Sequence, residues 1–400
     1  MSHTPAQSSP VPDKILAIPG MISVLATFAA VISSLSLLMP ASPAWVATGG
    51  AGSLGAGSVT AVLMAATVIT QLFVVRWALA KFGWTATMVC GTILMGIASP
   101  VQAIAPNLPL VLASSVARGV GFGLLTVCGA ASLSILVPAE KRGRAVGVYG
   151  MAAAIPQLIL TPIGPTLIEH LGFRFVLCSG VIAVIGVPFA LQLGRLVEEK
   201  LATTNAGGLD EPASFAGTLR LIWPALLTLT LVTAAGGAFM TFAIDLAPTP
   251  FWASIALFCM AAMATPTRLL GGTLSDKLGT RAIMTPLLAV AAFGALAVGW
   301  AGGDSVLVLL LGALAVGAGY GFLQSVTMVR ALNDAGPANT ESASVAWNAN
   351  FDIGTGLGGL VVGALAQAGG FPVAWWVWGA LMLVCAVGIG VHDTRKPAAG

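Results

Sequence analysis

Gly271-Gly272-Thr273-Leu274-Ser275-Asp276-Lys277-Leu278-Gly279-Thr280-Arg281 is a short charged stretch set between two long apolar ones. Phe251 to Leu270 precedes it with Arg268 as its only charge, and Ala282 to Ala301 follows with none. Each flank has about the ~20 residues that a helix needs to cross ~30 Å of hydrocarbon. The stretch reads as a tight turn between two membrane-spanning helices. Its glycines allow the reversal, and its carboxylate is placed to cap a helix end or meet a neighbour's arginine.

The whole chain repeats this pattern. Of its 400 residues 57% are hydrophobic and only 8% charged, whereas a soluble domain carries about 25% charged residues. This is the composition of a polytopic membrane protein, with the lipid bilayer as its first partner. The net charge of +3 is scattered over loops and leaves no footprint for a nucleic acid. Cys90, Cys128, Cys178, Cys259 and Cys385 all sit in apolar stretches without Cys-x-x-Cys spacing. They read as small buried hydrophobes, not as disulfides or metal ligands. Residues 1–14 are polar and lack the layout of a cleavable signal, so the first apolar run is expected to stay as a span.

Twelve apolar segments are expected, centred near residues 27, 66, 94, 122, 155, 184, 233, 260, 291, 317, 355 and 382. The polar interval 195–217 falls near the middle and reads as a linker. The division is then a tail (1–14), a six-helix bundle (15–194), the linker (195–217), a second six-helix bundle (218–392) and a tail (393–400). With both termini on one side, fifteen of the seventeen Lys and Arg residues lie on that side. Arg174 is alone opposite, and Arg118 lies within a span. The positive-inside rule places the termini and the linker in the cytoplasm, with Pro40 to Gly57 in a nearly uncharged outer segment.

The halves also echo each other. Ala78-Leu79-Ala80-Lys81-Phe82-Gly83 corresponds to Thr273-Leu274-Ser275-Asp276-Lys277-Leu278-Gly279 with one residue fewer, and Gly119-Val120-Gly121-Phe122-Gly123 corresponds to Gly317-Ala318-Gly319-Tyr320-Gly321. The two matches run in the same order at offsets of 196 and 198, as in a duplicated unit.

The pattern Gly272-x-x-x-Asp276-Lys277-x-Gly279-x-Arg281 resembles the loop motif of major facilitator transporters, and Arg118-Gly119 resembles the Arg-Gly of their fourth helix. The resemblance covers essentially the whole chain, and Pro40-Ala41-Ser42-Pro43 and Asn350-Phe351-Asp352-Ile353-Gly354 are similar to bacterial efflux members. It implies an all-α membrane fold of two pseudo-symmetric six-helix bundles that move a small molecule by alternating access. It also implies a cytoplasmic gate formed by residues 271–281 with Arg76 and Lys81, and proton handling at Arg118. The first-half loop departs from the motif: the position of Asp276 is missing and Arg76 stands in place of Gly271. Any carboxylate latch therefore falls to Asp276 alone. Gly164-Pro165 resembles the antiporter motif of exporters, from which Leu160 and Ile168-Glu169 depart.

The residues themselves point to the same machinery. An ionisable group inside a span is costly unless it has a partner or water, so Arg118 is a functional candidate. Trp347, Asn348, Asn350 and Asp352 form the densest polar cluster, and Asn348, Asp352 and Thr355 share one helix face. Counted from Ser342, Asp352 lies roughly 15 Å deep at ~1.5 Å per residue. Hydrocarbon disfavours a charged carboxylate at that depth, which makes Asp352 a candidate proton carrier. Gln157, Gln324 and Ser325 are further candidates for a substrate cavity, each equally suited to bonds between helices. Arg268 and Gln71 fall near helix ends, where a snorkelling arginine is ordinary. Trp375, Trp376 and Trp378 fit an interfacial belt.

No glycine-rich loop followed by Lys-Ser or Lys-Thr occurs, so ATP chemistry is not indicated. No cofactor is expected, the proton gradient being the energy source. A monomeric proton-coupled exporter of a drug or metabolite is the expectation. An importer on the same fold, a sensor and a lipid-handling protein are the alternatives. Paired carboxylates or a His/Cys site near an interface would indicate an enzyme, and neither is seen.

Overall fold

The computed structural model describes residues 15–204, 215–302 and 304–395. The tail 1–14, the middle of the expected linker (205–214) and residues 396–400 lie outside the described residues. Among the described residues, nine continuous apolar helices are long enough to cross a membrane. Three of them are broken by a glycine with left-handed backbone: Gly83 (φ 79), Gly172 (φ 81) and Gly370 (φ 83). Each break divides one helix into two antiparallel crossings, which gives twelve spans. All-helical structure follows from the solvent, since in hydrocarbon every backbone N–H and C=O must be paired within the segment.

Span 1 is Met21–Thr48, and span 2 is Gly52–Ile69 prolonged through a π turn at Thr70–Val74 to residue 82. Span 3 is 84–101, span 4 Leu108–Leu136, span 5 142–171 and span 6 173–204. Span 7 is Phe215–Leu246, span 8 Pro250–Leu278, span 9 Thr280–Ala301 and span 10 Val306–Ala335. Spans 11 and 12 are 340–369 and 371–395. Helix thus enters the expected linker from both sides, to Thr204 and from Phe215. Exposed apolar residues such as Ile69, Phe293 and Val384 lie on the outer surface, where lipid replaces water.

The duplication is visible in the packing. Gly119 lies against the Leu63 carbonyl, and Gly317 lies against that of Met260. Gly123 meets Thr67 and Thr70, and Gly321 meets Ala264 and Thr267. Gly121 and Gly319 turn the other way, onto Gly91 of span 3 and Ala291 of span 9. In both halves the glycine triad lets one helix touch the backbone of two others, the small-residue packing that replaces hydrophobic association in lipid. Turn glycines are duplicated as well, Gly83 with Gly279 (both φ 79) and Gly172 with Gly370.

Three expectations are corrected. Span 1 runs through Pro40 and Pro43, both buried, so the expected outer segment shrinks to residues 49–51. Proline ends a helix in water far more often than it does in a membrane. Residues 271–278 are likewise helix, and only Gly279 turns. Gly271 serves the approach of span 10, where Ser325 and the Phe322 carbonyl face it. Trp375 and Trp378 are core residues of the second half, and of the three tryptophans only Trp376 is exposed.

The cores show how the halves meet. One cluster joins Met39, Val46, Val59 and Met64 of the first half to Val232, Phe239 and Phe242 of the second. These residues lie toward the end remote from the linker, the far end. At the linker end the halves keep separate cores, one around Met21, Leu133 and Val197, the other around Ile222, Ala331 and Ala346.

Candidate functional site

Hydrogen bonds that cross between the halves run from the far end to mid-depth. Ser53 Oγ donates to the Gly363 carbonyl at 3.0 Å, and the Thr60 and Thr241 hydroxyls lie 2.9 Å apart. Thr166 and Ser254 join spans 5 and 8 at 2.7 Å. Deeper toward the linker, Gln71 Nε2 donates to Asp352 Oδ2 at 2.9 Å and to Thr126 Oγ1 at 3.1 Å. One amide thus ties spans 2 and 4 to span 11. Gln71 sits in the π turn, an irregularity that recurs at functional sites.

Asp352 is 7% exposed and lies twelve residues from the start of its span, ~18 Å along a helix. Its hydrogen-bond partner is a residue of the opposite half. Arg118 is buried to 1% in span 4, with Nε and Nη2 lacking hydrogen-bond partners. Among the described residues no ion pair joins it to Asp352.

A cavity opens between span 5 of one half and spans 7, 8 and 10 of the other, with about 440 Å³ of empty space, mouth included. Gln157, Thr161, Thr265, Arg268 and Tyr320 supply its polar lining, and Leu158, Met240, Leu257 and Met260 much of the rest. Its span 5 face continues at helical spacing through Gly150, Gly147 and Gly143, each next to open space, as is Gly272 on span 8. The cavity therefore widens toward the linker end. Asp352 and Arg268 both lie within electrostatic reach of Tyr320, so the acid and the cavity belong to one polar layer.

Of the expected cavity residues, Gln157 lines it and Gln324 is buried beside Tyr320, outside the lining. Ser325 does not line it; its hydroxyl donates to the Arg268 carbonyl at 2.6 Å. Asn350 bonds span 7, donating to the Leu226 carbonyl and accepting from Thr230. Trp347 Nε1 donates to Thr327 Oγ1 at 3.0 Å, and its ring stacks on Phe351. Asn348 is exposed and bonded to the Ser344 carbonyl. Sequence reasoning missed Gln71, Thr161, Tyr320 and the inward place of Arg268. The available signal for Arg268 was the helical continuity of residues 271–278, which sets it ten residues inside the end of span 8.

The gate residues are arranged differently from expectation. Asp276 and Lys277 are exposed, and among the described residues no ion pair involves Asp276. Arg281 instead reaches Asp334 at 3.7 Å, and Asp334 meets Arg330 at 3.3 Å. Arg330, 2% exposed, forms a two-pronged pair with Asp393 at 2.6 and 2.7 Å. This network fastens spans 9, 10 and 12 within the second half. In the first half, Glu198 of span 6 accepts from the Thr85 amide and hydroxyl beside Gly83. The missing loop carboxylate is thus replaced by one from another span. Arg76 is exposed on span 2, and Lys81 lies over the rings of Trp77 and Phe82.

The sequence profile described as Major Facilitator Superfamily matches residues 23–354 and again 245–399. A chloramphenicol resistance protein of Streptomyces lividans is 28% identical over 363 residues, 86% of this chain and 87% of that protein. An uncharacterized MFS-type transporter of Mycobacterium tuberculosis, Rv1250, is 28% identical over 114 residues, so the match spans 28% of this chain and only 20% of that protein. Among solved structures, a bacterial homologue of the human lysosomal transporter Spinster superposes with a TM-score of 0.68 at 15% identity, covering 95% of this chain and 98% of that one.

Proposed function

Because this chain belongs to the major facilitator superfamily, a family of small-molecule transporters and not of enzymes, we propose that it exports its substrate across the cytoplasmic membrane at the expense of a proton gradient. The observation that carries the reading is the Gln71–Asp352 bond, which couples a buried acid to the contact between halves. An ionised carboxylate accepts a stronger hydrogen bond than a protonated one. A proton arriving at Asp352 therefore weakens a link across the interface, and its departure restores it. Alternating access needs such a dependence of the halves on proton occupancy.

Lys81, Arg142, Lys277, Arg281 and Arg330 gather near the linker end, and Arg174 stands at the far end. By the positive-inside rule the linker end is cytoplasmic. The conformation is then inward-open, with the cavity presented to cytoplasmic substrate. Export is favoured over import by the chloramphenicol resistance relative, whose match covers both halves.

The test is flux of labelled amphipathic compounds, neutral and charged, in proteoliposomes under an imposed pH gradient. The parent protein should concentrate substrate against its gradient. Asp352→Asn keeps size and hydrogen-bonding capacity but cannot titrate, and should lose roughly 10²-fold of that uphill rate, the scale of losing a positioned proton-transfer group. Uphill transport persisting in Asp352→Asn would place coupling elsewhere, and accumulation in the opposite direction would make the protein an importer.

A further inference from the structure

The cavity carries more hydrogen-bond donors than acceptors, and the imbalance bears on what it holds. Arg268 lines it from span 8 with Nε buried and without a partner. Thr161 lines it from span 5, 3% exposed, its hydroxyl also without a partner. The amide nitrogen of Gln157 meets only the sulfur of Met240, at 3.9 Å. Asp352, next in sequence to Phe351 whose ring lies 6.1 Å from that of Tyr320, gives Oδ2 to Gln71, and among the described residues no ion pair joins it to Arg268.

A guanidinium N–H held out of water without an acceptor costs free energy that a bound carboxylate would recover. Apart from Tyr320 and Thr265, whose hydroxyl is spent on the Ala261 carbonyl, the rest of the lining is apolar, and Met240 and Met260 adapt to varied shapes. Backbone support is present too: Ser325 fixes the Arg268 carbonyl, so the arginine is anchored at its base.

We propose that this cavity binds an amphipathic organic anion, its carboxylate on Arg268 and Thr161 and its apolar body against Met240 and Met260. The proposal names the substrate class of the transporter described above and rests on that reading. Arg268 is here a substrate-binding residue, distinct from Asp352, which carries the proton.

The test uses purified full-length protein in detergent and reads thermal unfolding, so it does not depend on transport. Naphthoate and octanoate are titrated alongside their primary amides and the corresponding amines. The carboxylates should raise the midpoint, the amides and amines should not, and Arg268→Gln should weaken carboxylate binding by about tenfold or more. Arg268→Lys, which keeps the charge, should retain part of it and shows that the site still folds. Equal stabilisation by amides, stabilisation by amines alone, parent-like binding in Arg268→Gln, or no carboxylate binding at all would each overturn the assignment. Carboxylate binding without proton-coupled flux in vesicles would overturn the exporter reading and leave this one standing.

Discussion

At the scale of single residues, the informative pair is Gln71 and Asp352. Asp352 could be picked out from the sequence because a carboxylate amid glycines and apolar residues is costly there. Gln71 could not, because its partner lies 281 residues away and its amide is unremarkable in composition. The same limit hid Thr161 and Tyr320, whose roles depend on which half they face. Asn350 and Ser325, both candidates for the cavity, are spent on neighbouring helices, the use the sequence left equally open for Ser325. The pair makes a prediction. Gln71→Leu removes the donor of a charge-assisted bond, which is worth about 1.5–3 kcal/mol. If that bond belongs to the conformation open at the linker end, its loss should depopulate this state by about tenfold to a hundredfold. Maleimide labelling of a Gly147→Cys reporter, which stands in the open cleft, should slow accordingly. An unchanged labelling rate would mean that the bond is equally present, or equally unimportant, in both conformations.

At the scale of elements, the repeated glycines were legible because their spacing is local and their chemistry leaves little choice. Small residues three and four apart are where membrane helices approach most closely. Span boundaries were less legible. Pro40, Pro43, Gly271 and Gly272 are breakers in water, yet all four sit within helices here. The charged residues of 273–278 obscured the end of span 8 for the same reason, since a polar stretch leaving the bilayer can remain helical. Duplication supplies the test at this scale. A methyl group on Gly119 would strike the Leu63 carbonyl, and one on Gly317 would strike that of Met260. Both obstacles are backbone, which cannot rotate aside. Gly119→Ala and Gly317→Ala should each destabilise by about 1–3 kcal/mol, and by similar amounts, because the packing is equivalent. Gly143→Ala, next to open space, is the matched control and should leave the unfolding midpoint unchanged. A large disparity between Gly119→Ala and Gly317→Ala would show that the halves no longer use the triad alike.

At the scale of the whole molecule, the fold is two bundles that share a core toward one end only. The continuous cluster between halves and the Thr60–Thr241 and Ser53–Gly363 bonds form a far-end seal. Toward the linker end the cores separate and Gly143, Gly147 and Gly272 face open space. Composition and charge could announce two bundles and their orientation, but not which end is shut. That depends on a balance between two packings of the same sequence, which differ by only a few kcal/mol in proteins that switch. If transport requires the seal to open, a covalent bond across it must stop turnover without disturbing either bundle. Thr60 and Thr241 are buried with their hydroxyls 2.9 Å apart, so cysteines placed there bring their sulfurs within reach of each other. In a background with the five native cysteines replaced, Thr60→Cys/Thr241→Cys should oxidise readily to a disulfide. Oxidised protein should bind ligand from the linker side yet carry out neither uphill flux nor downhill exchange, and reduction should restore both. Each single cysteine variant should be indifferent to oxidant. Undiminished exchange in the oxidised double variant would mean that the far-end contact persists throughout the cycle. The substrate would then have to leave by a route other than the parting of these two bundles.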